Sequence, residues 1–148
     1  MDTEAWIGAI SGIATAVGVL FAGVQLMLAK RQARTDFEDT LNREYRETVR
    51  TIPVSALLGE SLSDELLEQH LPDFYRYIDL TNEQVFLRAK NRISRKTWVN
   101  WVDGIKDNLQ RPAFAKAWLL IKSSAKDSFE ELRALEKSKF KDDPRHWG

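Results

Sequence analysis

Apolar positions along this chain fall into two regimes. From Ala5 to Ala29 the stretch AWIGAISGIATAVGVLFAGVQLMLA carries no charge, and only Ser11, Thr15 and Gln25 are distinctly polar. As a helix rising ~1.5 Å per residue it reaches roughly 37 Å, enough to cross a ~30 Å hydrocarbon core with some tilt. After Lys30 apolar residues return every three or four positions among charges, which is the mark of amphipathic helices. No stretch alternates convincingly at period two. The expected fold is all-α, an N-terminal transmembrane helix followed by a compact multi-helix soluble domain.

The first regime reads as a span rather than a cleaved leader. A secretory signal needs a basic start, a shorter apolar core and small residues before the cut. Here the leader MDTE is acidic, and Met27-Leu28-Ala29 lacks a small residue at the −3 position. Lys30, Arg31 and Arg34 follow the stretch, whereas no Lys or Arg precedes it. Basic flanks stay in the cytoplasm, so the N-terminus is expected outside and the C-terminal domain inside, at a bacterial inner membrane. Trp6 then falls at the outer headgroup level. The expected organisation is an anchor with its basic flank over 1–34, a cytosolic helical domain over 35–137, and a polar, mobile tail over 138–148.

Small residues recur every four along the span. Gly8, Gly12 and Ala16 form one stripe, and Ala14, Gly18 and Ala22 another. Lipid offers no hydrophobic drive for helices to associate, so faces that allow close backbone approach supply the packing. The stripes predict a homo-oligomer of spans within the bilayer.

In the soluble part, Thr35 and Glu38 have capping-box spacing, and Phe37, Leu41, Tyr45, Thr48/Val49 and Ile52 continue a helical face that Pro53 closes. The span is expected either to run straight into this helix or to bend at Thr35. PVSALLG reads as one turn stopped by Gly59. SLSDELLEQHL is an acid-started helix, and Pro72 is expected to open a separate longer one with Phe74, Ile78 and Val85 inward. Asn82 falls on that apolar stripe, as a satisfied core amide or as part of a site. Ser94 is expected to cap a helix with Trp98, Trp101/Val102, Ile105 and Leu109 inward. Pro112 starts the next, with Phe114, Ala117/Trp118 and Ile121 inward. Ser128 and Glu131 again have capping-box spacing and open a last helix with Phe129, Leu132 and Leu135 inward.

Composition narrows the chemistry. The 148 residues balance 22 basic against 22 acidic side chains, and the part from Lys30 onward carries only +2. Duplex nucleic acid is therefore not an expected partner. Cysteine is absent, which removes thiol nucleophiles, disulfides and thiolate-ligated zinc. His70 and His146 lie far apart, and no nucleophile elbow, P-loop, dinucleotide fingerprint or zinc-helix motif occurs. No catalytic residues, metal ligands or cofactor are expected, and the chain does not read as an enzyme.

The most informative polar stretch is RAKNRISRK, residues 88–96, with Arg88, Lys90, Arg92, Arg95 and Lys96 basic and no acid. It lies where one helix ends and the next begins. Free N–H groups at a helix start favour an anion, arginine forks hold phosphate, and Trp98 and Trp101 offer rings on which a base stacks. These seven residues are the candidate ligand-binding set. Against that stands the plainer reading of a solvated basic turn followed by core tryptophans.

The segments IPVSALLG, FYRYIDLTNEQVFLR, RISRKTWVNWVDGI and LQRPAFAKAW, behind a short anchor, resemble a group of small bacterial single-pass membrane proteins. The layout is also similar to the membrane effectors of type III CRISPR systems, in which a cytosolic domain senses cyclic oligoadenylate and acts on the inner membrane in antiviral defence. That resemblance implies a cyclic oligonucleotide ligand and an oligomer. Beside this effector reading stand a membrane-tethered interaction module and a structural subunit of a membrane complex.

Overall fold

The computed structural model describes residues 3–147, apart from the side chains of Glu4, Ala5 and Ala9; Met1, Asp2 and Gly148, at the ends of the expected anchor and tail, lie outside. The described chain is helical and contains no strand. In order it forms α1 (Thr3–Val49), α2 (Val54–Leu57), α3 (Asp64–Ala89), α4 (Arg95–Gln110), α5 (Pro112–Ser124), α6 (Glu130–Lys137) and a 3-10 turn (Pro144–His146). It divides into two units, one ending at Phe37 and one beginning at Glu38.

In the first unit, one helix is long and apolar enough to cross a membrane, and none of its apolar window is buried. Every described residue from Trp6 to Ala33 is exposed. A helix that is apolar all round and uncovered by protein suits lipid. The Thr15 hydroxyl donates to the Ser11 carbonyl at 2.9 Å, so this polar group needs no outside partner. A Cβ built on Gly8, Gly12 or Gly18 meets nothing within 4 Å, so the small-residue faces are open.

Of the two expectations at Thr35, the straight run holds: no capping box starts a new helix there. α1 continues through this position to Val49, and the Thr35 hydroxyl bonds back to the Arg31 carbonyl at 3.2 Å. The apolar face of Leu41 and Ile52 keeps the helix going until Pro53, and both residues are buried.

In the second unit α3 is the central element, contacting α5, α6 and the 3-10 turn, while α5 also packs on α4 and α2. Ser63 caps α3, its Oγ accepting from the Leu66 N–H at 3.2 Å. Pro72 lies inside α3 rather than opening a new helix. Leu67 and Phe74 sit two turns apart on either side of it and are 2% and 1% exposed. Burying that continuous face outweighs the ~3 kcal/mol proline costs a helix interior. The core is aromatic at its centre. Phe114 meets Phe74 and Tyr77 edge-on, each at 5.0 Å between ring centroids, the geometry that the ring quadrupoles favour. Trp98, Ile105, Trp118, Leu132 and Leu135 complete it.

Two helix starts are closed from elsewhere in the chain. Glu38 of α1 reaches the start of α4, described below. At α6 the expected Ser128/Glu131 box does not form, because Phe129 takes a left-handed conformation (φ 61°) that buries its ring and no side chain of the segment caps the helix. Asn82 of α3 supplies the cap. Its Oδ1 accepts from the Leu132 N–H at 3.0 Å and its Nδ2 donates to Glu131 at 3.1 Å. The amide on the apolar stripe is thus a satisfied structural group.

Residues 138–148 were expected as a mobile tail, and the described part is docked. Lys139 and Phe140 take positive φ, and the Phe140 N–H closes on the Leu135 carbonyl at 3.0 Å. The chain then turns back to bury Pro144 against the domain. Asp143 is drawn in by a buried arginine of α3.

Candidate functional site

The basic turn between α3 and α4 is built by local chemistry. Asn91 takes a left-handed conformation (φ 56°), the Arg92 N–H bonds the Leu87 carbonyl, and the Asn91 N–H bonds the Arg88 carbonyl, both at 2.9 Å. This double closure ends α3. Ile93 then plugs the core at 0% exposure, and Ser94 caps α4, accepting from the Thr97 N–H at 3.3 Å. Asn91, Ile93 and Ser94 therefore have structural work in this turn.

The seven predicted ligand-binding residues do not share one surface. Arg88 is 2% exposed, and its guanidinium donates to the Ile93 carbonyl at 2.8 Å and through two nitrogens to Asp143. It holds the turn from inside, so it leaves the candidate set. Trp98 leaves it too, as a 3% exposed core ring. Trp101 is half-buried, with its indole N–H donating to Asn42 at 2.9 Å. Lys90, Arg92, Arg95 and Lys96 are exposed on the turn, and the Lys90 ammonium lies 5.5 Å from the Phe86 ring centre.

The helix start itself is occupied. Glu38 is 8% exposed, and its carboxylate accepts from the Ser94 N–H and the Thr97 hydroxyl, each at 2.5 Å, and from the Ser94 hydroxyl at 3.2 Å. The positive end of a helix dipole and a free backbone N–H favour an anion, and here the anion is the chain's own. Sequence reasoning placed an anion preference at Ser94 and missed Glu38, because the partner lies 56 residues earlier.

Away from this helix start, a cavity of about 160 Å³ opens between α1, α3 and α4. Tyr45 and Tyr77 line it, each accepting from the Asn108 amide, at 3.3 and 3.0 Å. Burial pushes the Tyr77 phenol well above its ordinary value of 10.0, so it remains a neutral O–H donor. A larger apolar groove of about 530 Å³ lies elsewhere, between α3 and α5, with Tyr75 and Leu120 exposed along it.

Among the described residues no three His, Asp or Glu side chains converge as metal ligands do. His70 pairs with Asp73 at 2.9 Å. Hydrogen bonds from Arg88 are the main cause that holds the Asp143 carboxyl below its ordinary value. Comparison with protein-family models, with curated proteins and with solved structures returns no match.

Proposed function

We propose that this chain is a single-pass membrane effector whose cytosolic helical domain senses an anionic signal at the turn between α3 and α4. One observation carries the reading: the start of α4 already holds an anion, the buried Glu38 carboxylate, on Ser94 and Thr97. The exposed side of the same turn bears Lys90, Arg92, Arg95 and Lys96. A phosphate group recruited by those cations competes with Glu38 for the Ser94 N–H and the Thr97 hydroxyl. Glu38 belongs to α1, the helix whose earlier turns form the apolar span. Displacing it changes how α1 is held and so reaches the membrane segment. Spans associating through the Gly8, Gly12, Ala16 and Gly18, Ala22 faces give the response an oligomeric form. The domain lies on the cytoplasmic side of a bacterial inner membrane, because the basic flank follows the span.

The resemblance in layout to type III CRISPR effectors makes cyclic oligoadenylate the first ligand to try. With the full chain in detergent, cyclic tetra-adenylate should bind with a steep salt dependence. Arg95→Ala and Arg92→Ala should each weaken it about tenfold or more, as loss of a charged hydrogen bond does. Absence of saturable binding, or equal binding by folded arginine variants, would overturn this site. A membrane-tethered interaction module is the second reading, favoured by the exposed apolar groove between α3 and α5. Co-purification of a stoichiometric protein partner, lost on Leu120→Asp, would support that reading instead.

A further inference from the structure

Gln84 is the group that the fold does not account for. It is 4% exposed and lines the cavity between α1, α3 and α4. Its carboxamide makes no hydrogen bond to any described residue, unlike Glu38, Thr81, Arg88 and Asn108, the other buried polar side chains of these helices. Yet no described side-chain nitrogen or oxygen sealed from solvent lacks a partner. Gln84 lines the cavity, and its amide is therefore not fully sealed from solvent. A carboxamide so nearly buried needs a partner, which is either water or a ligand in the cavity.

The rest of the wall says what that is. Every residue lining the cavity is uncharged, so neither an anion nor a cation is matched there. The Asn108 amide spends both hydrogens on Tyr45 and Tyr77 and its oxygen on Arg111. Each phenol therefore keeps its own O–H to donate. Asn42 uses its oxygen on Trp101 and keeps its NH2. The cavity thus offers a donor beside an acceptor on Gln84, further donors on Tyr45, Tyr77 and Asn42, and the Trp101 ring on its wall. Its ~160 Å³ is close to the ~150 Å³ that holds one benzene.

We propose that this cavity binds an uncharged planar heterocycle of nucleobase size, whose edge pairs with the Gln84 carboxamide through one donor and one acceptor. A glutamine amide meets an adenine edge in that bidentate way in nucleic-acid recognition. The inference rests on the cavity alone and needs no anion at the neighbouring turn. Water is the competing occupant, since about five molecules at ~30 Å³ each would fill the same space.

The test uses the full chain in detergent and three free bases without phosphate: adenine, cytosine and uracil. Binding is read by ligand-observed NMR and by the shift in Tm. At least one base should bind saturably and raise Tm. Gln84→Leu should weaken that binding about tenfold or more without lowering the Tm of the unliganded protein, because it removes an unpartnered amide. Gly104→Leu should abolish binding by filling the cavity. Gly104 lines it, and a Cβ built there meets nothing within 4 Å, so the backbone has room for a side chain at that wall. No saturable binding by any of the three bases would mean a cavity that holds water only and would overturn the proposal. Equal binding by wild type and by folded Gln84→Leu and Gly104→Leu would overturn it as well.

Discussion

The Arg88 guanidinium, sealed inside the domain, is closed by the carboxylate of Asp143, 55 residues later, with Nε donating to Oδ1 at 2.8 Å and a second nitrogen donating to Oδ2. The pair ties the C-terminal segment to α3 and, through the Ile93 carbonyl, to the end of the basic turn beside the α4 cap. Removing one partner of a buried pair leaves the other charge uncompensated, at a cost of ~3–5 kcal/mol. Asp143→Ala should therefore lower stability by about that amount in urea unfolding. A loss well under 1 kcal/mol would mean that the segment is not docked in solution.

The same pair predicts a direction with pH. Hydrogen bonds from Arg88 hold Asp143 below its ordinary value of 3.8. A depressed carboxyl lends stability that is complete above its unfolded value and is lost as pH falls through its lower folded value. Wild type should lose more stability than Asp143→Asn on acidification from pH 5 to pH 2, as measured by thermal melting across that range. Parallel loss in the two proteins would contradict the assignment.

Asn82 is the cap that α6 lacks in its own sequence. Asn82→Ala should cost ~1–3 kcal/mol, the penalty of leaving the Leu132 N–H without its acceptor. Hydrogen exchange of the Leu132 amide should speed up more than exchange in α4 or α5. Uniform change across the helices would place the effect elsewhere.

What could be read from the chain was what depends on neighbours in sequence. The apolar stretch, the Ser94 cap and the inward faces of Trp98 and Leu132 all follow from spacing and local chemistry. What could not be read depends on distant partners. Thr35/Glu38 and Ser128/Glu131 have the right spacing for capping boxes. One pair was absorbed into a continuous helix, and the other was displaced by an amide from α3. Pro72 looked like a boundary because the burial of Leu67 and Phe74 on one face is a tertiary fact. Arg88 looked like a ligand contact because nothing near it in sequence announces Asp143. Gln84 drew no notice, since a single amide in a helix carries no local signal.

The span should associate through its small faces. Replacing Gly12 and Gly18 with Leu should weaken oligomers in detergent or in a membrane reporter, because bulk prevents close approach. The domain should keep its fold, since a side chain at either position meets nothing in the monomer. A reporter fused after the C-terminus should be cytosolic. Accessibility from the outer face would reverse the orientation and remove every intracellular ligand.

The central claim is that an anion at the basic turn competes with Glu38, and binding of cyclic tetra-adenylate to wild type and Glu38→Gln measures it most directly. Glutamine keeps an oxygen for the Ser94 N–H or the Thr97 hydroxyl but removes the charge that a phosphate must displace. The account predicts several-fold tighter binding by folded Glu38→Gln at equal salt, with the gain abolished by adding Arg95→Ala. Equal or weaker binding by folded Glu38→Gln would contradict it and leave the carboxylate a cap of α4 with no part in sensing.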